Sequence, residues 1–155
     1  MKGSHRVIVE SKKVKYDFVV RRNITILTGD SATGKTTLID YIREFHRYGQ
    51  ESGVFVSCDC PCRTLDDEDW EHQLDGISGS LIFIDEGNRY LTSKRFAEKL
   101  QGNDNYFVIA TRERLPMLPY SIEEIYGFRT SGKFQQQKKI YNELYHLYGV
   151  FSTEE

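Results

Sequence analysis

Residues 24–42 read ITILTGDSATGKTTLIDYI, and within them Gly29, Gly34, Lys35 and Thr36 follow the spacing G-x-x-x-x-G-K-[ST]. Residues of these types in this order can grip a phosphate chain. The glycines let the backbone curl tightly enough for the N–H groups of Gly29, Asp30, Ser31, Ala32, Thr33 and Gly34 to point at one anion. A helix opening near Lys35 adds the positive end of its dipole. Lys35 is placed for the β- and γ-phosphates and the Thr36 hydroxyl for Mg²⁺, with Thr37 closing the nucleotide-contacting run. An accidental match in a glycine turn would lack the flanking elements. Here an apolar run precedes the motif and helical periodicity follows it.

A second stretch, LIFIDEGN at residues 81–88, supplies what the loop lacks. Leu81 to Ile84 have the all-apolar character of a strand buried on both faces. They deliver Asp85 to the strand's carboxyl end, where open α/β sheets bind ligands. A carboxylate there can hold Mg²⁺ through water beside Thr36. Glu86 follows, and a second carboxylate at that point can orient and polarise a water for attack on a γ-phosphate.

Several elements must position these groups. RVIVE and VKYDFVV read as a β-hairpin over 6–22, and NITILTG as a short strand ending at Gly29. Leu38, Ile42 and Phe45 have helical spacing, with Gly49 placed to stop the helix. GVFVSC, SLIFIDE, NYFVIATR and EEIYGF read as further strands. DDEDWEHQL and TSKRFAEKLQG read as helices with, respectively, an acidic start and a Thr/Ser cap. Tyr141, Leu144, Tyr145 and Tyr148 share one helical face, which predicts a C-terminal helix over 133–149. Strands alternating with helices predict a mainly parallel α/β sheet in a single domain, 1–155, with its core at 23–128.

At 155 residues and 39% hydrophobic content, with ten Tyr and nine Phe, a packed core is expected instead of disorder. A net charge of −2 gives no global reason for nucleic-acid binding, although Lys2, Arg6, Lys12, Lys13, Lys15, Arg21 and Arg22 make the amino-terminal segment basic. No apolar run approaches a membrane span, and no charged-then-apolar leader opens the chain. The three cysteines, Cys58, Cys60 and Cys62, are a poor disulfide framework and suit a reducing, cytoplasmic setting.

These motifs resemble those of the P-loop NTPases, in the division with an additional strand and a catalytic glutamate that includes AAA-type, ABC-type and RecA-like ATPases. The resemblance covers residues 6–128 and is carried by Gly29–Thr37, Leu81–Glu86 and Phe107–Arg112. It implies a three-layer core with strand order 5-1-4-3-2, in which strand 124–128 comes first, followed by 24–28, 105–110, 81–85 and 53–57. It also implies that Thr111, at the end of YFVIATR, is a polar sensor near the γ-phosphate. Catalytic roles would fall to Glu86, Lys35 and Thr111, and Mg²⁺ to Thr36 and Asp85. No LSGGQ-like signature and no helical lid is present. Arg112 and Arg114 could reach phosphate, or a neighbouring subunit could supply the arginine.

The function expected is Mg-dependent ATP binding and hydrolysis, with ADP as product, coupled to a protein partner or to self-association. Two alternatives stay open. A nucleoside-type kinase would use Glu86 on a substrate hydroxyl, but lacks the paired cysteines of the thymidine-kinase-like zinc module. A nucleotide-gated binding module would turn over little. The missing guanine-reading Asn-Lys-x-Asp element favours ATP over GTP. CDCPC departs from the Cys-x-x-Cys pairs of structural zinc sites, so it reads as free thiols, with His72 the conceivable fourth ligand if a metal binds. No role is assigned to His5, His46, His72 or His146.

Overall fold

The computed structural model describes residues 1–29, 34–66, 68–130 and 140–147. The chain opens with a hairpin of β1 (His5–Glu10) and β2 (Val14–Val20), paired antiparallel from His5↔Val20 to Glu10↔Lys15. Alternation sets this pairing: Val7, Val9, Tyr16, Phe18 and Val20 are buried on one face, while Arg6 and Asp17 form an ion pair on the other. β3 (Ile24–Leu27) then leads to the 14-residue helix α1 (Lys35–Tyr48). β4 (Phe55–Ser57), β5 (Cys62–Thr64) and the short helix α2 (Trp70–Asp75) follow. β6 (Leu81–Ile84), α3 (Lys94–Leu100), β7 (Tyr106–Ala110), β8 (Ile125–Thr130) and β9 (Ile140–His146) complete the described elements.

Among the described residues, nine strands join one mixed sheet of order β4-β1-β2-β9-β8-β3-β7-β6-β5. β3 is parallel to both β7 and β8, and β6 to both β7 and β5, whereas β1 is antiparallel to β2 and β4, and β8 to β9. Side-chain alternation along the central strands feeds two cores. Leu27, Leu81, Phe83, Val108 and Ala110 pack with Leu38, Ile39 and Ile42 of α1 and with the inner face of the hairpin. Ile24, Ile26, Ile82, Ile84, Phe107 and Ile109 pack on the opposite face with Trp70, Leu74, Tyr90, Leu91 and Phe96. Burial on both faces is why β6 and β7 are almost wholly apolar, the Tyr106 hydroxyl at the start of β7 being satisfied by the Gly3 carbonyl. The sheet curls: Phe18 of β2 meets Phe83 of β6 edge-on at 6.4 Å, and α1 packs against β1 and β4 near one end as well as β5 and β6 at the other.

This architecture corrects the three-layer, mainly parallel core expected from the sequence. The hairpin is not an appendage but part of the sheet, and among the described residues the α-helical layers reduce to α1 on one face and two short helices, of six and seven residues, on the other. The joining element is β9. Residues 140–146 form a strand that pairs parallel with β2 and antiparallel with β8, not part of a helix over 133–149. Tyr and Ile favour strands, and IYNELYH fits period 2 as well as the helical spacing of its tyrosines, so the open edges of β2 and β8 decide the outcome. The parts of the expected helix at 133–139 and at Tyr148 lie outside the described residues. The implied neighbour of β6 is corrected too. Segment 55–57 pairs antiparallel with β1, and β5 takes the place beside β6.

Candidate functional site

β3 positions the start of the Gly29–Thr36 glycine-lysine motif. Its end is held on both sides, since Thr28 N–H donates to the Tyr126 carbonyl of β8 (2.9 Å) and Thr111 N–H to the Leu27 carbonyl (2.9 Å). Gly29 (φ 135°) and Gly34 (φ 99°) flank the loop with backbone conformations that only glycine adopts cheaply. Asp30, Ser31, Ala32 and Thr33, between them, lie outside the described residues.

Lys35 opens α1. Its side chain is 2% exposed, and its ammonium donates to the Gly29 carbonyl, spanning the base of the loop from helix to strand. A buried cation needs such a partner. Thr36 is exposed on the first turn of α1 and Thr37 half-buried.

Two residues not singled out in the sequence brace this loop. Tyr16 of β2 donates its hydroxyl to the Gly34 carbonyl (3.0 Å), and Asn142 of β9 is its register partner. A Cβ on Gly34 would lie 3.0 Å from the Tyr16 hydroxyl and 3.5 Å from the Asn142 amide nitrogen. Burial pushes the Tyr16 phenol up to about 12, so it remains a neutral donor. Alternation along β2 marks Tyr16 as inward-facing, but Asn142 carries no signal while its segment is read as helix.

The Asp-Glu pair sits at the tip of β6. Asp85 accepts from the Glu86 N–H (2.9 Å) and lines a cleft of about 430 Å³ with Arg43, Arg47, Asp66, Gly87 and Asn88. In that cleft Arg43 of α1 grips Asp66 through two hydrogen bonds of 3.0 Å and reaches Asp40 at 2.6 Å. The Glu86 carboxylate accepts from the Arg112 N–H (3.1 Å), with the Arg112 guanidinium 3.7 Å away. The tips of β6 and β7 are thereby tied together.

Thr111 is 4% exposed, and its hydroxyl donates to the Glu113 carbonyl (3.1 Å) and accepts from the Glu113 N–H (3.0 Å). It also lines a cavity of about 360 Å³ with Ile26, Thr28, Arg114, Tyr120 and Ile125. The structure thus joins Gly29 with Lys35, and Glu86 with the segment after Thr111. Asp85 faces the side of α1 that carries Arg43, while Arg112 and Arg114 are exposed.

The chain matches no protein-family model, no curated protein and no solved structure. Among the described residues, no helix is long and apolar enough to cross a membrane.

Proposed function

We propose that this chain binds ATP through the loop between β3 and α1 and hydrolyses its terminal phosphate. The observation that carries this reading is the buried Lys35 ammonium closing the glycine-flanked loop, with the Asp85-Glu86 carboxylates at the tip of β6, one strand beyond β7. A triphosphate offers Lys35 a better partner than one carbonyl, because an anion sets a full opposite charge against the buried ammonium where the carbonyl sets only a dipole. The N–H groups of the loop and the first turn of α1 would orient the phosphates.

Thr36 and Asp85 present only oxygen donors, a hard set that suits Mg²⁺ and not a thiophilic metal. When bound, Mg²⁺ neutralises charge on the β- and γ-phosphate oxygens. Glu86 is the base that would polarise the attacking water, and to do so its carboxylate must turn from the Arg112 N–H. Thr111 would act at the adjacent tip through the face of its hydroxyl not engaged by Glu113. With no arginine committed to the phosphates, turnover by the chain alone is slow, since such a group contributes about three to five orders of magnitude. A protein partner or a second copy would supply the acceleration.

The test is phosphate release from Mg-ATP alongside nucleotide affinity. Lys35→Ala should weaken ATP binding at least tenfold, and Glu86→Gln should retain binding and lose turnover. Full turnover by Glu86→Gln would move the base elsewhere, and unchanged affinity in Lys35→Ala would remove the phosphate loop. ADP formed only when a nucleoside is added would make the chain a kinase.

A further inference from the structure

We propose that Cys58, Cys60 and Cys62, with Nδ1 of His5, bind one zinc-class divalent cation that clips together the two ends of the nine-stranded sheet. Topology makes this position unusual. β4 and β5 are the two edge strands, and residues 58–61 run directly from one to the other. Their pairing partners are β1 and β6 respectively. An edge left unpaired is a liability that proteins cover or staple.

Two of the three sulfurs are already within sharing distance of one cation. The Cys58 and Cys60 Sγ atoms are 3.8 Å apart. Two thiolates on one tetrahedral zinc, with bonds of about 2.3 Å, are separated by about 3.8 Å. The Cys62 thiol points back at the same turn, donating to the Cys60 carbonyl at 4.0 Å.

The fourth donor comes from β1. Donor atoms of His5, Asp59 and Cys60 all fall within 4.8 Å of one another. His5 Nε2 lies 3.0 Å from the Lys2 carbonyl, which can only accept, so Nε2 carries a proton and Nδ1 faces the cysteine loop. A metal-bound histidine characteristically donates its other N–H in this way. An edge-on contact with Tyr106, at 5.6 Å, holds the ring. Nδ1 now meets Asp59 Oδ1 at 2.7 Å. That carboxylate is 67% exposed against 13% for the His5 side chain, so Asp59 can turn to water while His5 stays.

Three thiolates and an imidazole form the closed, soft donor set of structural zinc and exclude Mg²⁺ and Ca²⁺. Binding displaces the thiol protons and the Nδ1 proton into solvent. Arg63 lines the same cavity of about 360 Å³ and offsets the residual negative charge. His72, on α2, is exposed and takes no part. The ligand set escapes a spacing rule because its histidine is contributed by the first strand.

The experiment is titration of the reduced, full-length chain with Co²⁺, read by thiolate charge-transfer and tetrahedral ligand-field absorption. One Co²⁺ per chain is expected, displaced by one Zn²⁺, with the three thiols then protected from alkylation. Cys60→Ser should lower affinity by at least about 100-fold. His5→Gln should weaken binding and change the ligand-field bands, whereas His46→Gln, in the same cavity, and Lys35→Ala should leave both intact. If Cys60→Ser does not fold, the wild-type spectrum and thiol protection decide alone. Weak octahedral bands, no Co²⁺ uptake by reduced protein, or loss of the site in His46→Gln but not His5→Gln would overturn the proposal.

Discussion

At the scale of single residues, the loop proposed to bind phosphate depends on contacts made far from its own sequence. Gly34 is locked twice, by a φ of 99° and by the Tyr16 hydroxyl that a Cβ would meet at 3.0 Å. Gly34→Ala should therefore cost about 1–2 kcal/mol in backbone strain, before any clash with Tyr16. Tyr16→Phe removes the hydrogen bond to the Gly34 carbonyl and little volume, a loss of about 1 kcal/mol. Thermal unfolding checks both, and ATP affinity should fall with stability, because the same carbonyl ends the loop. A Tyr16→Phe variant with wild-type stability and affinity would show that β2 does not brace the loop.

Among elements, α1 is the part that couples the loop to the rest of the sheet. Leu38, Ile39 and Ile42 bury its inner face, and Arg43 ties it to Asp66, just beyond β5. Burial works to raise Asp66, but the Arg43 hydrogen bonds outweigh it and hold the carboxyl below its ordinary value. A depressed carboxylate contributes stability above its unfolded pKa and loses it as pH falls through the folded one. The stability difference between wild type and Asp66→Asn should thus be constant from pH 5 to 7 and shrink below about pH 4. Denaturant midpoints across that range measure it. A difference that grows on acidification would reverse the sign and discard the ion pair as the cause.

Over the whole molecule, β9 makes one sheet out of two. It pairs β2 on one side and β8 on the other, with Leu144 packed against the core that α1 also caps. Ending the chain at residue 131 would leave β2 and β8 with bare hydrogen-bonding edges in the middle of the sheet. Such edges recruit other chains, so size-exclusion chromatography should show the truncated protein as soluble oligomers or aggregate. A monodisperse, stable monomer would mean that the hairpin folds independently of β8.

Local requirements were legible in the sequence. The runs at 24–27, 81–84 and 106–110 identify buried strands because side chains must be largely apolar when both faces are covered, Thr25 being the buried exception. The loop motif is readable for the same kind of reason: glycine conformation, helix start and lysine placement are all settled within a few residues of one another. Which strand lies beside which is a different matter. Backbone hydrogen bonds carry no side-chain label, so nothing in IYNELYH announces that it will bridge β2 and β8, and nothing in VFVSC sends it to β1 instead of β6. Tertiary structure alone decided those pairings. It alone brought Tyr16 to Gly34 and His5 to the cysteines, because contacts between residues distant in the chain arise only once the sheet has curled.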